Sequence, residues 1–127
     1  MIQVGTVLNV IDNSGARKVC CIKVMTGYKR RYAFSGDLIM ISIKSLRTKR
    51  KATSKTKKGE VYKALVVRTK VNLKSFSGET TKFLENSAIL LNKQNKFIGT
   101  RIFGALPIKF RYTKYLRILS LSNGVIY

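Results

Sequence analysis

The cations of this chain have the clearest potential for chemistry. Lysine and arginine number 26 against five acidic residues, giving a formal net charge of +21 over 127 residues. Residues 44–58 hold eight basic residues and no acid, and residues 28–34 interleave three cations with aromatic rings. Such a surface repels itself and needs a polyanionic partner, and each phosphate that a cation contacts releases counterions. The sequence therefore predicts nucleic-acid binding, with a membrane surface as the less favoured alternative.

The aromatic residues among these cations permit two interpretations. Tyr28, Tyr32 and Phe34 could stack on exposed bases while their basic neighbours bind phosphate. The same rings could instead belong to the hydrophobic core, and the sequence favours the two interpretations equally. The pair Arg17 and Lys18, beside a predicted turn, is a weaker candidate for a phosphate contact.

Catalytic and metal chemistry are poorly supported. The chain lacks histidine, the side chain that most often transfers protons near neutral pH. Each acid lies in or beside a predicted turn, where a solvated or capping carboxylate is expected. The acids are Asp12, Asp37, Glu60, Glu79 and Glu85. Cys20 and Cys21 are adjacent in a predicted strand and should point to opposite faces, so we expect neither a disulfide nor a metal pair. We predict no enzyme activity, no cofactor and no metal site.

Apolar residues recur mostly with a period of two, which is typical of strands. The predicted strands cover residues 6–11, 19–25, 38–43, 61–69 and 87–92. Turn residues separate them, among them Asp12-Asn13-Ser14-Gly15 and Ser35-Gly36-Asp37. Short strands at turn-separated intervals predict a mainly β protein built as a small β-barrel.

Three segments fall outside the strand pattern. Residues 44–58 show no core pattern and predict a basic loop. Residues 70–83 predict a protruding hairpin that turns at Ser77-Gly78-Glu79. Residues 109–121 have the spacing of a short helix, which Pro107 would precede. We therefore expect one domain over residues 1–127, with residues 100–127 as a region of loop and short helix.

Three functions remain open on these grounds: a structural RNA-binding protein, an oligonucleotide-binding barrel for single strands, and a cationic membrane-active protein. No apolar run reaches the length that a membrane helix needs, so we expect no membrane insertion. RNA is favoured over DNA because no motif for reading the major groove is visible. A set of basic loops on a packed body favours the first function.

Several strings in combination resemble the family of the universal large-subunit ribosomal protein number fourteen. The first strings are Asp12-Asn13-Ser14-Gly15-Ala16-Arg17, Cys21-Ile22-Lys23-Val24, Arg30-Arg31-Tyr32-Ala33, Gly36-Asp37 and Ala64-Leu65-Val66-Val67-Arg68-Thr69. The match continues through Phe83, Asn86, Leu90-Leu91-Asn92 and Gly99-Thr100-Arg101-Ile102-Phe103-Gly104. The resemblance implies a five-stranded β-barrel with a protruding β-hairpin and short C-terminal helices. It also implies a non-catalytic component of the large ribosomal subunit that binds large-subunit rRNA and helps to bridge to the small subunit.

The resemblance assigns roles to three groups of residues. Contacts with large-subunit rRNA fall on Asn13, Ser14, Arg17, Lys18, Lys29, Arg30, Arg31, Arg68 and Lys70. The basic loop, which in the family lies toward small-subunit rRNA, places the intersubunit bridge at Lys44, Arg47, Lys49, Arg50 and Lys51. A surface that faces neighbouring ribosomal proteins, and can receive a ribosome-silencing factor, falls on Thr100, Arg101 and Arg117. Arg101 has the alternative of binding phosphate.

The chain departs from the family pattern in ways that affect these expectations. Its basic loop is longer than the usual bacterial one and lacks a proline and a glycine. Ile108-Lys109-Phe110-Arg111 replaces a string that carries a glutamate in the family, so the salt-bridging and factor contacts that the resemblance implies there do not carry over directly. Few acids, more lysine than arginine and many Ile, Asn and Tyr residues are typical of an A+T-rich organellar genome. The start at Met1-Ile2-Gln3-Val4 shows no presequence, and we predict a mitochondrially encoded protein, with plastid or bacterial cytoplasm as alternatives.

Overall fold

The computed structural model of the protein describes residues 1–47, 54–75 and 77–126. Five strands form a closed barrel in the order β1-β2-β3-β4-β7. They are β1 (Val7–Val10), β2 (Ala16–Val24), β3 (Leu38–Leu46), β4 (Val61–Arg68) and β7 (Ser87–Leu91). Neighbouring strands are antiparallel except β1 and β7, which close the barrel in parallel. This architecture confirms the predicted β-barrel.

The barrel interior is filled by residues at alternating positions along all five strands. Val19, Ile39 and Ile41 are fully buried, as strand periodicity requires. Two strands break the alternation: β7 is buried along its whole length, and the last five residues of β4 are buried in succession. A continuous buried run means that both faces of a strand are covered, so a second layer must lie outside the barrel.

That second layer is the C-terminal region, where the predicted loop-and-helix description is wrong in part. It contains β8 (Ile102–Pro107) and β9 (Ser122–Ile126), which pair in parallel. Between them lie a 3₁₀ helix (Ile108–Tyr112) and α1 (Arg117–Leu121), instead of one helix over residues 109–121. β9 was missed because its sequence lacks a strong apolar alternation and its partner lies twenty residues away.

The outer layer is held by a hydrophobic cluster distinct from the barrel core. Leu65 and Ile89 project outward from the barrel and pack with Leu106, Phe110 and Ile118. None of the five is more than 1% exposed to solvent. Pro107 directly precedes the 3₁₀ helix with φ of −65°, which confirms its predicted position. Among the described residues no helix is long and apolar enough to cross a membrane.

The predicted hairpin is present as β5 (Leu73–Lys74) and β6 (Thr80–Thr81). The prediction that residues 44–58 have no core pattern is wrong at both flanks. β3 runs on to Leu46, and Thr56 is buried. Residue 55 donates a backbone hydrogen bond to the carbonyl of Ser14. A segment that binds the barrel through backbone hydrogen bonds needs no apolar side chains, so the hydropathy pattern did not predict this contact.

Gly15 allows this docking. Its φ of +100° lies in the left-handed region, and a Cβ there would come within 2.5 Å of the Cβ of Ser54. An L-residue would therefore be strained and would also displace the returning loop.

Candidate nucleic-acid interface

An open groove of about 1000 Å³ runs along the side of the barrel near the start of β2. Arg17 and Lys18 line it together with Arg47, which follows the end of β3. Arg17 and Lys18 are exposed, and in the described part of the chain neither side chain forms a salt bridge. Arg68 and Glu85 also line the groove and form a salt bridge with each other. Of the four cations that the fold gathers here, Arg17 and Lys18 are available for phosphate.

Arg47 differs from its two neighbours because it is bound to the barrel itself. Its Nη2 donates to the carbonyl oxygen of Val10 at 3.3 Å, and its guanidinium lies 5.3 Å from the centroid of the Phe103 ring. Arg101 lies over the same ring at 5.9 Å. Such cation–π contacts contribute about 0.5–1 kcal/mol at exposed sites. The side chain of Arg47 is therefore turned inward rather than out along the loop.

Of the other residues of the predicted bridge, only Lys44 lies within the described residues. Lys44 is exposed on β3. Lys49, Arg50 and Lys51 lie outside the described residues. The position of the bridge residues thus stays a prediction for those three.

Arg68, predicted to bind rRNA, joins the barrel to the outer layer. It ends β4, and its Nε and Nη2 donate to the carbonyl oxygens of Ala105 and Phe103 at 2.9 and 2.6 Å. Its Nη1 forms a salt bridge of 2.9 Å with Glu85. Only 11% of the side chain is exposed. Three intramolecular acceptors occupy the guanidinium, so its geometry is that of a structural clasp.

Gly104, between the two carbonyls that Arg68 binds, is required by the same clasp. Its φ is +82°, and a Cβ at this position would overlap Nη2 of Arg68. The glycine lets the β8 backbone approach the guanidinium closely.

Glu85 is the hub of a small polar network beside the clasp. Its carboxylate accepts hydrogen bonds from the side chains of Asn9 and Ser87 in addition to the Arg68 guanidinium. Burial by itself raises the pKa of Glu85, but these hydrogen bonds and the arginine charge outweigh it. The pKa therefore lies below its ordinary value of 4.5.

The turn that follows β1 is organised by a buried carboxylate. Asp12 is fully buried and accepts hydrogen bonds from the backbone N–H groups of Ser14 and Leu90, and from the Ser14 hydroxyl. The prediction of a turn cap is confirmed for Asp12, but the prediction of solvation is wrong. The β7 amide at Leu90 supplies a donor from 78 residues away, which local sequence could not reveal.

Asn13 and Ser14, both predicted to bind rRNA, are engaged within the protein. Ser14 is buried. The side-chain amide of Asn13 donates to the Thr100 hydroxyl at 2.9 Å, and its Oδ1 accepts from the backbone N–H of Thr100 at 2.8 Å. Asn13 thereby anchors the non-strand segment that precedes Arg101 and β8.

Segment 28–34 is a surface feature, and core packing of its rings is the wrong interpretation. Tyr28 is 90% exposed, and Tyr32 and Phe34 are exposed to 40% and 37%. Ala33 is the buried residue of this segment, paired with Ile2 across an isolated bridge. The rings are thus accessible to a partner.

The three cations of this segment are not equivalent. Arg30 forms a salt bridge of 2.8 Å with Asp37, and its Nε donates to the carbonyl of Tyr32 at 3.0 Å. Lys29 and Arg31 are exposed, and within the described residues neither forms a salt bridge. Arg30 therefore shapes the turn while Lys29 and Arg31 present their charge outward.

The predicted partner surface is brought together in part. Thr100 and Arg117 line a second cleft of about 570 Å³ with Phe97 and Tyr115, whose rings meet edge to face. Arg101 is exposed beside this cleft but does not line it. The cleft mixes cationic and aromatic groups, as a protein-binding surface does.

Two sets of exposed cations escaped the sequence prediction. Lys23 lies outside the barrel because a bulge between Cys21 and Lys23 leaves consecutive β2 residues exposed. Lys74 and Lys82 extend the charge of Lys70 along the hairpin, all three exposed. Hairpin position could have revealed the second set, whereas strict alternation could not have revealed a bulge.

Metal chemistry finds no support in the described residues, where no group of three or more ligating side chains is clustered. Cys21 is buried in the core and Cys20 is half-buried, and both are free thiols. Burial raises the pKa of the Cys21 thiol. Cys21 therefore stays protonated, and a protonated thiol is less reactive than a thiolate. The opposite orientation of the two cysteines confirms the prediction made from strand alternation.

The fold and the surface together define a small β-barrel protein with an outer C-terminal layer and an acid-poor, cationic exterior. The family model described as Ribosomal protein L14p/L23e matches residues 1–126, and the chain belongs to this family. The resemblance drawn from sequence strings is thereby confirmed. The protein has a structural, non-enzymatic role in the large ribosomal subunit.

Proposed function

We propose that this protein binds large-subunit rRNA through its barrel groove, the 28–31 turn and the β5–β6 hairpin. The observation that supports this proposal is that most of the few carboxylates are bound to partners within the protein and leave most of the exposed cations in the described residues without a salt bridge. Among the described residues, salt bridges involve only Asp37 and Glu85, and Asp12 is buried on backbone amides. These three of the five acids are engaged within the fold, whereas exposed cations such as Arg17, Lys18 and Arg31 form no salt bridge in the described residues.

Glu60 follows the same rule. It accepts a hydrogen bond of 2.7 Å from the Tyr62 hydroxyl, and this bond raises the pKa of Tyr62 to about 12. It also accepts from the backbone N–H of Lys57. The Tyr62 hydrogen bond, followed by the backbone hydrogen bond and the charge of Lys57, lowers the pKa of Glu60. This one carboxylate offsets only part of the lysine charge around it, and rRNA phosphate is the polyanion that the ribosome offers for the rest.

Removing the free cations of the groove tests this assignment. Replacing Arg17 and Lys18 together by Ala is expected to reduce the steepness of the log–log salt dependence of rRNA binding by about 2, one for each lost phosphate contact. Binding should weaken uniformly across rRNA sequences, because phosphate contacts carry no base information. Fluorescence anisotropy over a series of salt concentrations measures both quantities.

The matched control is Lys93→Ala with Lys96→Ala. It removes the same charge from the exposed turn that follows β7, on the side of the predicted partner surface. Its salt slope should stay close to that of the unmodified protein. An equal loss in both variants would show that net charge alone matters and would contradict a groove-specific contact.

We propose further that the basic loop contacts small-subunit rRNA. The inward-turned Arg47 is assigned to folding, which leaves Lys44, Lys49, Arg50 and Lys51 as the bridge residues. Replacing Lys49, Arg50 and Lys51 by Ala should weaken subunit joining several-fold more than incorporation into the large subunit. Sedimentation of reconstituted particles measures both.

The control for the loop is Lys57→Ala with Lys58→Ala, which removes exposed charge from the flank that docks on the barrel. We expect this control to join subunits normally. The bridge assignment fails if the loop variant loses incorporation and joining in equal measure, or loses neither.

The Thr100 and Arg117 cleft is assigned to a neighbouring ribosomal protein, with a ribosome-silencing factor as a further occupant. Its edge-to-face aromatic pair and exposed arginines are the residue types that interfaces favour. Arg101, whose guanidinium faces the Phe103 ring, belongs to this surface through its backbone anchor at Asn13. We assign the ribosome to the mitochondrion on the evidence of composition, with plastid and bacterial cytoplasm as alternatives.

A further inference from the structure

A separate cleft of about 630 Å³ lies between the end of β2 and the turn at residues 27–31. Its volume is in the range of about 300–1,000 Å³ that small-molecule sites occupy. The residues lining it include four cations, two tyrosines and the Gln3 amide, and no carboxylate. Cations bind an anion and tyrosine rings stack on a planar group, so these residues suit a ligand that contains both.

Three of the four cations of the cleft have no carboxylate partner among the described residues. Lys23, Lys29 and Arg31 are exposed, and within the described ranges none of them forms a salt bridge. The fourth, Arg30, is held by Asp37 and the Tyr32 carbonyl. Three positive groups around one concavity can therefore bind successive phosphates of a single strand.

Of the two tyrosine rings that line the cleft, that of Tyr28 is the more exposed. Tyr28 is 90% exposed, and the nearby Lys29 Nζ sits 5.4 Å from its ring centroid. Covering this ring removes apolar surface from water and disrupts no core contact. Stacking on an aromatic ring is the general means by which proteins hold an unpaired base.

We propose that this cleft holds one unpaired nucleotide of the rRNA, with its base stacked on Tyr28 and its flanking phosphates bound by Lys23, Lys29 and Arg31. The proposal rests on the proposed rRNA-binding function and adds a base to a contact otherwise made by phosphates. A base inside a duplex has both faces covered by its neighbours, so only a bulged or loop nucleotide can offer a face to Tyr28. Gln3 lines the same cleft, and its amide supplies a donor and an acceptor for a base edge.

Three hairpin RNAs that differ at one position test the proposal with the full-length protein. One carries a single bulged nucleotide, the second an abasic residue at the bulge, and the third is fully paired. We expect the bulged hairpin to bind about 5- to 150-fold more tightly than the other two, the factor that stacking of one base supplies. Tyr28→Ala should abolish this preference, and Tyr28→Phe, which keeps the ring, should retain it.

Tyr112→Ala is the matched control because Tyr112 is 85% exposed on the 3₁₀ helix and does not line the cleft. It should leave the preference intact. Equal, salt-dependent affinity for all three RNAs would overturn the nucleotide site while leaving the rRNA-binding function in place. A preference that survives Tyr28→Ala would also overturn it. Absence of salt-dependent binding to every RNA would instead contradict the proposed function itself.

Discussion

Binding of this protein to folded large-subunit rRNA is expected to weaken by about 10⁵-fold when the salt concentration rises from about 50 to 200 mM. The expectation follows from contact with roughly ten phosphates, which on duplex-like scaling gives a log–log slope of about −9. In the described residues the groove, the 28–31 turn and the hairpin provide seven exposed cations outside salt bridges, and further exposed lysines such as Lys23 and Lys44 would supply the remaining contacts. Anisotropy titrations of a folded rRNA fragment at several salt concentrations measure the slope directly.

An unstructured oligonucleotide of equal length is the control for this experiment. Folded rRNA should bind more tightly, because a rigid barrel presents cations at fixed spacings that match a folded backbone. Comparable affinity for the two RNAs would favour a general single-strand binder, and a slope near zero would contradict the electrostatic basis of binding altogether.

Arg68→Ala is expected to lower the free energy of unfolding by about 2–4 kcal/mol. The guanidinium donates to two backbone carbonyls and to Glu85, and hydrogen bonds of charged groups contribute about 1.5–3 kcal/mol each before solvent screening. Glu85 is 41% exposed, which reduces its share. A urea titration measures the change as a shift in midpoint at constant slope.

Two further variants separate the clasp from general effects of charge. Arg111 is exposed on the 3₁₀ helix, and Arg111→Ala should change stability by no more than about 0.5 kcal/mol. Arg68→Lys keeps the charge but lacks the planar fork, so it should remain destabilised. If Arg68→Ala weakened rRNA binding at full stability, Arg68 would be a phosphate ligand as the sequence predicted.

The Glu85 network makes this stabilisation dependent on pH. Because the pKa of Glu85 is lower in the folded protein than its ordinary value of 4.5, its contribution is fully present above about pH 4.5 and is lost as the pH falls through the folded value. In Arg68→Ala the loss on acidification should be smaller, since the Asn9 and Ser87 hydrogen bonds then act alone.

The strands of the barrel could be predicted because their signal is local. Alternation and turn residues identified the strands around Leu38, Val61 and Ser87 to within a few residues, and the family strings agreed with them. The C-terminal pair β8 and β9 could not be predicted in this way. Gly104 interrupts β8 and Gly124 interrupts the more polar β9. β8 packs on Leu65 and Ile89 of the barrel through Ile102 and Leu106, and β9 is held by its pairing with β8.

The candidate site was predictable in charge but not in detail. Lys29, Arg30 and Arg31 are indistinguishable as a string of cations, yet Asp37 engages only the middle one. Ser14 was expected to contact rRNA, but it is buried, and its hydroxyl donates a hydrogen bond to the Asp12 carboxylate.

The sequence by itself determined the β-barrel class through short-range periodicity and the demand for a polyanion through composition, and its residue strings carried the resemblance to the family. Only the tertiary structure decided which cations remain free. Arg68 and Arg30 form salt bridges with Glu85 and Asp37. The side chain of Arg47 is held by the Val10 carbonyl and the Phe103 ring. The physical reason is that a charge is neutralised or exposed by its neighbours in space, and folding brings those neighbours from distant parts of the chain.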